Sequence, residues 1–431
     1  MHTLVLIPLS LAAEPSPLLP AVIVVLEDAE RVPEDLSARG RHLGGPSWLV
    51  PEVDPEQATA RWLALPEVRL AEPDRLMPMD RRFDDPSYGG QWYLEELGAE
   101  ALFAISMGNP ETRVAVLDSA IEIAHPDLIE GVVAPYDAVD DDEDPSPNPG
   151  EYCQGSSTDL CDSHGTSVSG VIAARADNGI GVVGICAECS LVPVKLLGER
   201  DGGLSASIAA FEHAIEQDVA VINNSWGYVE SIPVPSTLAD VIHRAATETR
   251  GGLGSVVVFA AGNDDREIQD NELQALDDVL CVSALDSYGN KTNYTNYGRS
   301  VDVSAPSATV TLTIEGGVTT TFGGTSAAAP VVSGVAAWIL AEHPELSAAE
   351  VRQLLIDTAV PSPLVQADED GFHEIFGYGV IDLEGVLAAL YPDTGSGSEA
   401  RPATGCACSG AVGWSPGWLA LLGLLGLSRR R

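Results

Sequence analysis

Short, unbroken apolar runs constrain this chain most. RVAVLD (113–118), SLVPVKLL (190–197) and SVVVFAAGN (255–263) carry no polar alternation. A strand that is apolar at every position must be covered on both faces, as in a parallel sheet packed between helices. The intervening segments supply those helices. SVSGVIAARA (167–176) and AAAPVVSGVAAWILAEHP (327–344) are apolar and rich in small residues. The fold expected is therefore α/β, a mostly parallel sheet sandwiched by helices.

Charge limits the partners. The chain has 431 residues, 22 Lys+Arg and 64 Asp+Glu, for a net charge of −42. Such a polyanion repels phosphate backbones, which excludes nucleic-acid binding. The charge is uneven: −7 over residues 1–80, +2 from Pro392 onward, and −37 between them. Three charge characters suggest three segments with different roles.

The first of these begins MHTLVLIPLSLAAEP, an apolar run with the length of a signal-peptide core. Residues 1–13 are expected to direct export, with a buried first strand as the alternative. Residues 20–80 read as strand, helix, strand, helix, strand, a small α+β module. Residues 392–405 form a Gly/Ser-rich linker. Residues 406–431 hold CACSG, a Leu/Gly-rich apolar stretch and a terminal Arg429–Arg431 cluster, as in a membrane sorting or anchoring tail. Of the remaining cysteines, Cys153 with Cys161 and Cys186 with Cys189 could close disulfides, and the sequence does not choose among pairings. Cys281, in VLCVSAL, reads as a buried thiol.

Chemistry concentrates in four places. Asp118 ends the first apolar run, and His164 lies in DSHGT ahead of a small-residue helix. Asn263 ends SVVVFAAGN, and Ser326 opens the long helix that has Pro330 in its first turns. Each alone has an ordinary explanation as a cap or loop residue. Together they supply a hydroxyl nucleophile, an imidazole base, a carboxylate to orient it, and an amide for an oxyanion.

VAVLDSAIEIAHPDL, DSHGTSVSG, NNSWG, FAAGN and GGTSAAAP resemble the subtilase serine proteases, across residues 81–391. The resemblance implies an endopeptidase with Asp118, His164 and Ser326 as its triad and Asn263 as oxyanion donor. Ser225, Trp226 and Gly227 would pair with an extended polypeptide substrate, facing a second rim near Gly202–Leu204. It also implies a calcium ion held by Asp85, Asp127 and Asn178 with the carbonyls of Arg175, Ile180 and Val182. The alternative is that the two aspartates cap turns without metal.

With this family in view, residues 20–80 resemble an I9-type propeptide, an intramolecular inhibitor and folding aid. The tail resembles the MYXO-CTERM segment that an envelope sorting enzyme receives. The expectation is a monomeric, exported zymogen at the cell envelope or surface, or released from it. Two departures stand out: Ala120 and Ser169 replace a family Gly and Ala.

Other signals are weaker. Gly179–Gly184 satisfies GxGxxG but precedes a strand rather than following one, against dinucleotide binding. The acidic run 137–152 lacks EF-hand spacing and reads as a solvated loop, or as a second weak calcium site. The acid-rich stretch 264–278, with Arg81-Arg82 at the module junction, raises a preference for Arg or Lys at P1. Acids throughout the chain make that reading no stronger than its alternative. Two rivals remain: a non-catalytic binding protein on this fold, and a non-protease acyl hydrolase.

Overall fold

The computed structural model describes residues 18–28, 31–52, 54–75, 83–147, 160–197, 203–228 and 230–392. The signal-like start, Arg81-Arg82, Cys153, Gly202 and the tail lie outside the described residues.

The N-terminal elements are β1 (Leu18–Leu26), α1 (Glu34–Arg39), β2 (Arg41–Gly44), β3 (Ser47–Pro51), α2 (Pro55–Leu63) and β4 (Val68–Arg75). The strands form an antiparallel sheet in the order β2-β3-β1-β4. Alternation in AVIVVL puts Val22, Val24 and Leu26 on one face, where they are buried with Trp62 of α2. Asp54 caps α2 by accepting from the Gln57 N–H, with Pro55 at the first turn. The order differs from the expected one by a hairpin in place of a single middle strand. The helix stops at Arg39 because Gly40 turns extended, and Gly45, at φ +53°, reverses the chain into β3.

The larger part contains α3 (Trp92–Glu96), α4 (Glu100–Phe103), β5 (Arg113–Asp118), β6 (Tyr136–Asp137), α5 (Leu160–Ala173), β7 (Ser190–Lys195) and α6 (Gly203–Glu216). It continues with β8 (Val221–Asn224), α7 (Ser236–Gly252), β9 (Val256–Ala260), β10 (Val279–Leu285), β11 (Val303–Pro306) and the hairpin β12 (Thr311–Thr313) and β13 (Gly317–Thr319). The helices α8 (Thr325–Glu342), α9 (Ala348–Thr358) and α10 (Leu383–Leu390) close it. Seven strands lie in the order β11-β10-β9-β8-β5-β7-β6, and every pairing is parallel.

The apolar runs are unbroken because each strand face meets a different core. Val114 and Val116 of β5 pack in the cluster that holds α5 and α8. Ala115 and Leu117 pack in the cluster with Phe211 of α6 and Ile242 of α7. Helix α8 is buried from Thr325 through Ala341. Its small residues allow close approach: a Cβ on Gly334 would stand 2.8 Å from the Ile185 Cβ. Among the described residues α8 alone is long and apolar enough to cross a membrane, but it is the core helix of this sheet.

The topology also selects a site. From β5 the chain goes out to the edge strand β6, comes back to β7 beside β5, and then crosses to β8 on β5's other side. Carboxyl ends of strands beside such a reversal form a crevice where ligands bind in open α/β sheets.

Candidate active site

Asp118 is the last residue of β5 and fully buried. Its Oδ1 lies 2.6 Å from His164 Nδ1 and also accepts from the Ser119 N–H at 2.7 Å. His164 sits one turn inside α5 rather than at its start, and its side chain keeps 19 % exposure. Two opposing effects act on the imidazole. Burial disfavours its charged form, while the Asp118 charge and hydrogen bond favour it, and the net shift is upward from the ordinary 6.5.

Ser326 is the second residue of α8. The helix starts from Gly324, which has a φ of +81°, and a Cβ added there would stand 3.2 Å from Asn263 Nδ2. A side chain at 324 would therefore meet both backbone strain and the Asn263 amide. Pro330 lies inside α8 and has no N–H for the carbonyl four residues earlier, that of Ser326. That carbonyl instead accepts from Ser225 Oγ at 3.0 Å, while Ser326 Oγ donates to the Ser225 carbonyl at 3.0 Å. The reciprocal pair fastens the start of α8 to the end of β8. No hydrogen bond joins Ser326 to His164 among the described residues, so the Asp118–His164 pair is formed while the serine hydroxyl is turned to Ser225.

Asn263 stands three residues past the end of β9, on an exposed turn. Its Oδ1 accepts from both the N–H and the hydroxyl of Thr325, at 2.9 and 3.0 Å. With the oxygen engaged, the amide keeps its Nδ2 donor for other groups, and Asn263 lines the adjoining cleft. That cleft, about 190 Å³, is lined by Ser225, Trp226, Gly227, Asn263 and Ser326 among others. An anchored amide beside a hydroxyl, with a carboxylate–imidazole pair on the neighbouring strand end, suits acyl transfer.

The subtilase family model (peptidase S8) matches residues 109–379. The chain belongs to the subtilase family. It is 32 % identical over 318 residues to the halolysin-like extracellular serine protease Nep of Natrialba magadii, covering 72 % of this chain and 54 % of that one. It is 34 % identical over 271 residues to subtilisin NAT of Bacillus subtilis subsp. natto, covering 62 % and 65 %. The solved protease of Pseudoalteromonas arctica superposes with a TM-score of 0.57 at 27 % identity, over 71 % of this chain and 99 % of that one. The chain thus spans about half the length of the halolysin-type relatives it matches.

Within this subtilase, Ala120 is buried and is absent from the residues with positive φ, so the missing glycine imposes no strain. Ser169 returns its hydroxyl to the Gly165 carbonyl within α5, at 2.7 Å. The GxGxxG turn lies between α5 and β7, with Gly179 and Gly181 at φ +71° and +53°. Its purpose is to wrap a carboxylate. Asp127, fully buried, accepts from Asn178 Nδ2 at 2.8 Å and from the Val182 N–H at 3.0 Å. Burial pushes its carboxyl up to about 6, with the charge of nearby Asp85 adding to the shift. Asp85 is itself buried; its Oδ2 takes the Asp177 N–H at 2.9 Å and its Oδ1 has no partner. Ligand oxygens of Asp84, Asp85 and Asp177 come within 4.8 Å of one another.

The sequence pointed to Asp127, Asp85 and Asn178; Asp84 and Asp177 are added by the fold. An orphaned, buried carboxylate oxygen beside a second buried carboxylate fits a hard cation. The Asn178 amide turns its nitrogen, not its oxygen, toward Asp127, so it would have to reverse to act as a ligand.

Cys186 and Cys189 form a disulfide, and Cys281 is a buried free thiol whose pKa burial raises well above the usual value. Two features of the site had no role assigned to them from the sequence. Asn223, fully buried on β8, accepts from Ser333 of α8 and donates to Ser225 Oγ, at 2.8 and 3.0 Å. Asn223 opens the NNSWG motif, but nothing in the motif shows which groups it joins. Gln274 lines the cleft from a short 3₁₀ turn, Leu273–Ala275, with nothing in the sequence to mark it.

Proposed function

We propose that the chain is an exported serine endopeptidase that hydrolyses polypeptides through an acyl-enzyme. The observation that carries this is the pairing of buried Asp118 with His164, on a subtilase fold that carries Ser326 in the first turn of α8. Ser326 Oγ rotates from the Ser225 carbonyl toward His164, which takes its proton as the hydroxyl attacks the scissile carbonyl. Asp118 holds the imidazole in the tautomer that leaves Nε2 free and stabilises the imidazolium that forms. The oxyanion is met by Asn263 Nδ2 and the Ser326 N–H. His164 then protonates the leaving amine, and water releases the acyl group by the reverse sequence. Ser225–Gly227 offers a strand edge for β-augmentation by the substrate.

The same reading assigns residues 20–80 as an inhibitory propeptide, which makes the chain a self-processing zymogen. It assigns calcium to the Asp85–Asp127–Asn178 region, where the ion would neutralise two buried carboxylates and fix the 177–182 turn. The tail would be handed to an envelope sorting enzyme, leaving a monomer at the cell surface. The extracellular Natrialba relative and a Cys186–Cys189 disulfide both favour export.

A fluorophosphonate probe tests the nucleophile. Wild type should be labelled on Ser326, and Ser326→Ala should be neither labelled nor self-processed. Labelling of the alanine variant would refute the assignment.

A further inference from the structure

The cleft beside Ser326 carries a residue that the chemistry above does not use. Gln274 is 7 % exposed and lines the cleft together with Asn263 and Ser326. Its Nε2 donates to the Ala260 carbonyl at 3.3 Å, on one wall. On the opposite wall a Cβ at Gly227 would stand 2.7 Å from that same nitrogen. The carboxamide therefore bridges the Ser225–Gly227 segment and the end of β9, closing the space between them.

The charges around the cleft are also committed. Arg266 lines it, and its two Nη atoms reach the two Glu272 oxygens at 2.8 and 2.9 Å. Glu272 is buried and does not line the cleft, so this pair keeps its carboxylate away from a substrate. Asp264 also lines the cleft; its side chain is 41 % exposed and lies 3.9 Å from Arg266 Nε. Asp277 and Asp278 line a separate cavity with Arg352. The acid-rich stretch thus brings one carboxylate, Asp264, to the cleft lining, and places a guanidinium in the same wall.

We infer that Gln274 is a specificity-determining residue, closing the P1 pocket so that the enzyme cleaves after medium-sized uncharged side chains, of the leucine or methionine class. Aromatic side chains are too long for a pocket floored by the amide. Arginine and lysine bring a charge toward Arg266, and the carboxylate of the cleft lining, Asp264, already faces that guanidinium. The inference rests on the endopeptidase reading and deepens it.

The test measures kcat/KM on peptide anilides that differ only at P1, with enzyme matured from the full chain. Wild type should prefer Leu to both Phe and Arg. Gln274→Gly opens the floor and should raise the Phe-to-Leu ratio by roughly tenfold or more, the scale on which pocket volume discriminates. Gln274→Met, which keeps the bulk, should stay within about threefold of the wild-type ratio. Labelling of Ser326 by a fluorophosphonate confirms that each variant retains its site. A wild-type preference for Arg, or a Phe-to-Leu ratio unmoved by Gln274→Gly in a labelled enzyme, overturns the inference alone. An unlabelled wild type that cleaves none of the peptides overturns the endopeptidase reading, and the inference with it.

Discussion

Replacing Asp118 by asparagine tests the centre of the site with two independent readouts. The carboxylate is fully buried and 2.6 Å from His164 Nδ1. An amide at that position keeps the volume but not the charge, and it stabilises the wrong tautomer. In triads of this kind the loss in kcat is about 10⁴-fold, or about 5.4 kcal/mol of transition-state stabilisation. The second readout is the acid limb of the pH–rate profile. Burial is the largest influence on His164 and lowers its pKa; the Asp118 charge and hydrogen bond outweigh it together. With the carboxylate intact, the limb should lie above the ordinary 6.5, since activity needs neutral imidazole. In Asp118→Asn, burial is left unopposed and the limb should fall below that value.

The stability consequence has a definite sign. A folded-state pKa raised above the unfolded one adds stability that is fully present below the unfolded value. That increment is lost as pH rises through the folded value. In Asp118→Asn the contribution reverses, and acid destabilises instead. Steady-state kinetics from pH 5 to 9 on the residual activity, with thermal melts at both ends, provide the assay. A limb that stays in place or moves upward would refute the electrostatic account. A rate within tenfold of wild type would refute the role of Asp118.

Other outcomes follow from the same geometry. Asn263→Ala should lower kcat about 10²–10³-fold with KM little changed, and a comparable rise in KM alone would speak for ground-state binding instead. EDTA should lower the melting temperature of Ser326→Ala, which cannot digest itself, and calcium should restore it; a melt indifferent to both argues that Asp85 and Asp127 only cap turns. Lys195 and Asp137 form a buried ion pair at 2.8 Å beside β5, with both side chains at most 5 % exposed. Lys195→Met should cost about 3–5 kcal/mol in urea unfolding, because Asp137 is left charged and unpaired. A loss below about 1 kcal/mol would mean that water reaches the pair.

The sequence made much of this site legible. RVAVLD, SVVVFAAGN and the long helix after Ser326 are local patterns, set by burial on both faces and by small residues at close packing. The positions proposed for the chemistry were readable in part for the same reason: Asp118 ends a strand, His164 and Ser326 lie in the first turns of helices, and Asn263 stands on the turn that follows β9. Residue types at element boundaries are local information. The hairpin β2–β3 was not legible, because it depends on where Gly40 stops a helix and Gly45 turns the chain.

What the tertiary structure alone decided is which groups meet. Pro330 could be seen in the sequence, but not that the Ser326 carbonyl it frees would take the Ser225 hydroxyl. The stretch after Asn263 is acidic by composition; folding pairs Glu272 with Arg266 and sends Asp277 and Asp278 to another cavity. Gln274 bridges the walls of the cleft only because a 3₁₀ turn carries it beneath Gly227. Local sequence determines strands, helices and their ends, since those follow from backbone geometry and burial pattern. Charge pairing and pocket depth depend on contacts between segments far apart in the chain, and those exist only once the sheet has brought its carboxyl ends together.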